Sequence, residues 1–259
     1  MMMDAIAFRR SRSLICTFVA SLVAVLSFGQ TSPAQTLIVA GARTMPPTIV
    51  VGFVGGFIKH DNLIHSEVQL AARLREAYPL GVDVETFENH GGEIALKKVL
   101  GLLDTNHDGT LAPQEKQDAR IIIYGHSWGA SEGIALAREL QTNGIPVLLT
   151  IQVDSVSKMH QNDAVIPANV ARAANFYQPD GLIHGQPSIR AADPTRTNII
   201  GNFRFDYKAS AYNCAGYPWF DRLFMKSHIQ IECDANVWKQ AESLIRSALP
   251  SSIRSGTQE

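Results

Sequence analysis

The run Ile121-Ile122-Ile123-Tyr124-Gly125-His126-Ser127-Trp128-Gly129-Ala130-Ser131-Glu132-Gly133-Ile134-Ala135-Leu136 says most about how this chain is built. Its Ile-rich start reads as a buried strand, and its end, rich in small and apolar residues, reads as a helix. The five residues between them must turn sharply. At such a turn a serine sits in a strained backbone conformation that lifts its hydroxyl clear of the sheet, at a cost of about 1–3 kcal/mol. A Cβ two positions before or after would collide, so Gly125 and Gly129 stand where no side chain fits. Ala130 and Gly133 let the helix approach the strand. The helix amino end lends partial positive charge to any oxygen that turns negative beside Ser127. Ser127 is therefore the candidate nucleophile.

Outward from this turn, strand and helix alternate. Residues 47–54, 82–87, 120–124 and 146–153 read as strands, the first ended by Gly55-Gly56. A helix starts at Ser66, where Gln69 completes a capping-box pattern, and stops before Pro79. Others cover 92–103 and 129–140, the latter with Gly144 beyond its end. A terminal helix carries Val237, Trp238, Ala241, Leu244, Ile245 and Ala248 on one stripe before Pro250. Residues 168–177 and 197–205 are further strand candidates in an irregular stretch rich in Gly, Pro and Asn. This order predicts an α/β fold: one domain over 35–259, with a mostly parallel sheet and helices on both faces. Ligands of such sheets bind beyond the carboxyl ends of the strands.

From residue 47 to 248 the sequence resembles an α/β-hydrolase, and the Gly-x-Ser-x-Gly pentapeptide at 125–129 carries most of the match. Little chain precedes residue 47, so the two antiparallel strands that usually open this fold are expected to be trimmed away. The resemblance implies a serine hydrolase with the chain order nucleophile, acid, histidine. His228 is expected in a loop just ahead of the terminal helix, where the family places its base, with His184 as runner-up. Asp154 follows the strand at 147–153, as the acid does in thioesterase-type members, and Asp206 is the alternative. One oxyanion donor is the N–H of Trp128; the resemblance places the second at Phe57 or Gly56. Tyr212, Tyr217, Trp219, Phe220 and Phe224 either line an acyl pocket or form an ordinary core edge. The implied activity is hydrolysis of a small-molecule or lipid ester or thioester, with no organic cofactor. A non-catalytic calcium-binding or ligand-binding module on the same scaffold is the competing reading.

Residues 104–115, Asp-Thr-Asn-His-Asp-Gly-Thr-Leu-Ala-Pro-Gln-Glu, match the EF-hand loop pattern D-x-[DN]-x-[DN]-G-x5-E over its whole length. Asp104, Asn106, Asp108 and Glu115 supply side-chain oxygens, Thr110 a main-chain carbonyl, and Gly109 the sharp turn. Ala112, at the ninth position, offers no ligand. The strand at 120 leaves room for only a short partner helix, so an isolated EF-hand-like loop with a structural Ca²⁺ is expected. Its affinity would be weak, Kd about 10⁻⁴ to 10⁻³ M. An Asx-rich surface turn without metal is the other reading.

Arg9, Arg10 and Arg12 precede an apolar run from Leu14 to Phe28, and small residues follow at Ser32 and Ala34. This is the layout of a secretory signal peptide over 1–34, cut after Ala34 with Gly29 as a competing site, and its paired arginines hint at twin-Arg export. The run falls short of the roughly 20 residues a transmembrane helix needs. A secreted or periplasmic chain with no stable membrane span is expected. Cleavage takes three arginines and Asp4 from 23 basic and 24 acidic side chains, leaving a formal charge of −3. With no basic excess, nucleic-acid binding is excluded as a main function. Cleavage also removes Cys16, leaving Cys214 and Cys233 to form a disulfide in an oxidising compartment or to remain buried thiols.

Overall fold

The apolar runs become the strands of one parallel sheet. A computed structural model describes residues 46–250 apart from 209–211, 213, 218 and 220–224. Residues 1–34, where a signal peptide is expected, together with Phe220 and Phe224, lie outside the described residues. The strands are β1 (Thr48–Val54), β2 (Val82–Glu88), β3 (Ile121–His126), β4 (Val147–Val153), β5 (Val165–Ile166), β6 (Val170–Tyr177), β7 (Arg190–Ala191) and β8 (Asn198–Arg204). Six of them pair in the order β2-β1-β3-β4-β6-β8, every pairing parallel, while β5 and β7 form a small separate ladder. β1 and β3 are buried along their whole length, as continuous apolar runs are when both faces of a parallel sheet are covered.

The strand period of two sorts these side chains into two cores. Ile49, Val51, Phe53, Ile121 and Ile123 face one side, which is covered by α2 (Gly92–Leu103) and α4 (Trp128–Thr142). Val50, Ile122 and Tyr124 face the other, beneath α1 (Ser66–Ala77) and the terminal α6 (Ala235–Ala248). A short α3 (Pro113–Gln117) begins within the last residues of the 104–115 stretch, and α5 (Lys226–Cys233) precedes α6. Parallel strands, helices on both faces and the sharp β3-to-α4 turn together make the α/β-hydrolase architecture. Among the described residues the sheet has no antiparallel strand, and β1 is its first.

Two local expectations are corrected. The N-cap of α1 is His65 rather than Ser66, and no side chain caps it. Gln69 instead donates to the carbonyls of Leu63 and Ile64, and the His65 ring is drawn inward to Glu232, so the capping box is not made. His228 lies within α5, not in a loop. The cap used at this end of the chain is Asp234, whose carboxylate accepts the amide of Asn236 at the start of α6.

Candidate active site

The β3-to-α4 turn holds Ser127 at φ 54°, ψ −128°, a strained conformation for a residue with a side chain. Packing keeps it there. A Cβ on Gly125 would stand 2.7 Å from the Gly129 carbonyl, and one on Gly129 only 2.4 Å from the Phe53 carbonyl oxygen. The Ser127 amide donates to Val153 O at 3.0 Å, and its carbonyl accepts the amides of Ala130 and Ser131 in the first turn of α4.

The Ser127 hydroxyl lies 2.9 Å from Nε2 of His228, and Nδ1 of His228 lies 2.7 Å from Oδ2 of Asp154. A carboxylate opposite Nδ1 selects the tautomer protonated there. Nε2 is then left with a lone pair for the serine proton. Asp154 itself has φ 45° and is fully buried. Its oxygens accept from the Gly185 amide at 2.7 Å, the Gln178 amide at 3.2 Å and Gln178 Nε2 at 2.9 Å, besides His228. A buried carboxylate with this many donors has its oxygens satisfied and its orientation fixed. Close approach at Gly185 is obligatory, because a Cβ there would meet the Asp154 backbone at 2.4 Å.

The structure thus brings Ser127, His228 and Asp154 together and leaves the alternatives outside. Asp206 is exposed and meets Arg204 and the Lys208 amide. His184 is exposed at the cavity wall, its ring beside the Gly185 carbonyl. Trp128 opens α4 next to the nucleophile, and Phe57 stands across from it with the two rings edge to face at 5.9 Å. Gly55, at the end of β1, packs against Ser127: an added Cβ would lie 3.1 Å from the serine Cβ. Gly56 takes a left-handed φ of 48°. Ser127 and His228 open into a mostly apolar cavity of about 610 Å³, walled by Phe57, Trp128, Val156, Ile183, Met225 and Ile229. Of the aromatic cluster, Tyr217 reaches this cavity, whereas Tyr212 packs edge-on against Tyr207 and Trp219 is largely exposed.

Cys214 and Cys233 form a disulfide with Cα atoms 5.8 Å apart, tying the preceding segment to the end of the helix that carries His228. In the loop at 104–115, Gly109 takes φ 82°, Asp104 accepts the amides of Asp108 and Gly109, and Glu115 accepts those of Thr105 and Ala112. The bond from Ala112, then that from the Thr105 hydroxyl, hold the Glu115 carboxyl below its usual range.

Sequence reasoning missed Gln178 and Gly185, which orient the acid, and a group of buried ionisable residues behind His228. His126, at the end of β3, stacks on His228 with ring centroids 4.5 Å apart. Burial first, then the neighbouring His228 and His65, keep its pKa well below the ordinary imidazole value. Gln178, like His65, Glu67 and Glu232, carried no sequence signal for these roles. His126 is one of the variable positions of the pentapeptide, and Gly185 stands in the Gly- and Pro-rich stretch around His184.

No protein-family model matches the chain, and a search of curated proteins finds no match. Solved structures do resemble it. The RedJ thioesterase from the prodiginine biosynthetic pathway in Streptomyces coelicolor is 11% identical, with 73% of this chain and 90% of that one covered at a TM-score of 0.36. A cutinase-like protein from Cryptococcus sp. is 9% identical, covering 78% and 95% at 0.40. An esterase from the archaeon Pyrobaculum calidifontis is 12% identical, covering 77% and 79% at 0.36. At such low similarity, the chemistry must be read from the geometry of this site.

Proposed function

We propose that the chain is a serine hydrolase that cleaves a carboxylic ester or thioester through an acyl-enzyme on Ser127. The observation that carries this reading is the unbroken hydrogen-bond chain Ser127 Oγ, His228 Nε2, His228 Nδ1, Asp154 Oδ2, at 2.9 and 2.7 Å. A serine hydroxyl is a weak nucleophile until a base accepts its proton. As Oγ attacks the carbonyl carbon, Nε2 takes the hydroxyl proton, and Asp154 stabilises the imidazolium that results. The carbonyl oxygen, now negative, is met by the N–H of Trp128 and by that of Phe57 or Gly56, aided by the amino end of α4. The imidazolium then protonates the leaving alcohol or thiol. In the second half, water gives its proton to Nε2 and attacks the acyl carbon, and Ser127 leaves with the proton returned.

The apolar cavity walls suit the acyl part of a lipid or small-molecule ester. Export by the 1–34 segment belongs to the same reading, since a disulfide persists in an oxidising compartment. The all-oxygen donor set of the 104–115 loop and its left-handed Gly109 fit Ca²⁺. Asp104, Asn106, Asp108, the Thr110 carbonyl and Glu115 would hold it, and the ion would brace the connection into β3 without taking part in acyl transfer.

A fluorophosphonate probe tests the reading. Stoichiometric labelling that disappears in Ser127→Ala is expected, with a panel of esters and acyl thioesters then ranking substrates. A folded protein that takes up no label is instead a binding module on this scaffold.

A further inference from the structure

Behind the base, four ionisable side chains from three elements converge where a globular protein normally has only apolar groups. His65 occupies the N-cap position of α1, Glu67 lies in its first turn, His126 ends β3, and Glu232 lies in the last turn of α5. Each is at most 5% exposed. Ligand atoms of His65, Glu67 and Glu232 all lie within 4.8 Å of one another. Nδ1 of His126 faces the same space, 3.5 Å from Oε2 of Glu232 and 3.7 Å from Oε1 of Glu67. Among the described residues, no hydrogen bond of good geometry reaches either oxygen of Glu67 or either ring nitrogen of His126. A buried polar atom left unpaired costs about 1–3 kcal/mol, so several around one space point to a missing occupant.

We propose that His65, Glu67, His126 and Glu232 form a four-coordinate site for a zinc-class divalent cation. Two imidazoles and two carboxylates are a donor set that such ions accept, and the two negative charges neutralise the dication in a dry interior. Ligands about 2.0–2.1 Å from a tetrahedral ion stand roughly 3.3 Å apart, close to the separations of His126 from both carboxylates. His65 now donates from Nδ1 to Glu232 at 2.6 Å, so binding releases that proton as both atoms turn to the metal. Burial and the charge of Glu232 hold the Glu67 carboxyl well above its usual range, a state a neighbouring dication reverses. His65, His126 and Glu232 also line the cavity that opens at Ser127, which gives the ion a way in. The ion would join α1 and β3 to the helix that bears His228. This site is independent of the acyl-transfer reading and of the calcium loop.

The test is equilibrium dialysis of the purified protein against Zn²⁺, followed by elemental analysis, with Co²⁺ as a spectroscopic substitute. Retention of about one equivalent in Glu115→Gln as well as in the unaltered chain is expected. Glu67→Gln should weaken Zn²⁺ affinity by more than about 100-fold, beyond the effect of losing a residue one bond further out. His65→Gln serves where that variant fails to fold. Intense visible absorption from four-coordinate Co²⁺ in the unaltered protein supports the site without any variant. Absence of retained Zn²⁺, or retention unaffected by Glu67→Gln and His65→Gln, overturns it.

Discussion

Two polar clusters adjoin the His228 ring, one hydrogen-bonded at its Nδ1 edge and one reached through the stacked His126, and they are built in opposite ways. Around Asp154 every carboxylate lone pair is directed at a donor: Gly185, both donors of Gln178, and His228. Around Glu67, among the described residues, the oxygens face other ligand-type atoms and make no hydrogen bond of good geometry. A satisfied buried network is rigid and holds one geometry, whereas an unsatisfied one stores free energy that a ligand can release. The first arrangement suits a group that must keep an imidazole in one tautomer. The second suits a group waiting for a cation.

The comparison is broken most severely at the nucleophile. Ser127→Ala should lower kcat by about 10⁴- to 10⁶-fold and leave the melting temperature nearly unchanged, measured by ester turnover beside a thermal melt. Next comes the turn itself. Gly129→Ala drives a Cβ to 2.4 Å from the Phe53 carbonyl oxygen and should cost about 3 kcal/mol or more in urea unfolding. On the satisfied side, Gln178→Leu removes two donors from Asp154 if the backbone shifts and one if it does not. A loss of about 1–3 kcal/mol is expected, with kcat falling and KM held, as befits a positioning residue.

On the unsatisfied side the sign reverses. In metal-free protein, Glu67→Met replaces an unpaired buried carboxyl by an apolar chain of similar shape, and stability should rise by about 1–2 kcal/mol. Loss of stability on that change, with metal absent, would place Glu67 among the satisfied groups after all. The smallest effect belongs to the surface loop. A calcium-selective chelator should lower the melting temperature by about 2–4 °C, equivalent to about 1 kcal/mol in a domain of this size, while fluorophosphonate labelling of Ser127 continues. An unchanged melting curve would leave the 104–115 loop as a metal-free turn.

Much of the fold was legible because it depends on neighbours in sequence. The Ile121–Ile123 run, the glycines two residues either side of Ser127 and the stripe from Val237 to Ala248 each declare their element through local spacing. Asp154 could be singled out because it ends a strand at the edge where ligands bind. His228 was found by chain order, but its placement in a helix was not. Residues 226–233 have a weak apolar pattern, and their helix rests on burial of Ile229 and Ile231. Ser66 failed as a cap because tertiary contact of His65 with Glu232 outweighed a local hydrogen bond.

By itself the sequence determined what short-range sterics dictate: alternating strand and helix, the abrupt bend at Ser127 and the glycines that permit it. Only the tertiary structure decided which distant groups meet. Gln178 and Gly185 reach Asp154 from 24 and 31 residues away, and Glu232 reaches His65 across 167. No local period encodes such meetings, because they follow from how helices on two faces settle over one sheet, and a side chain's polarity is the same in the sequence whether its partner is water, a donor or an ion.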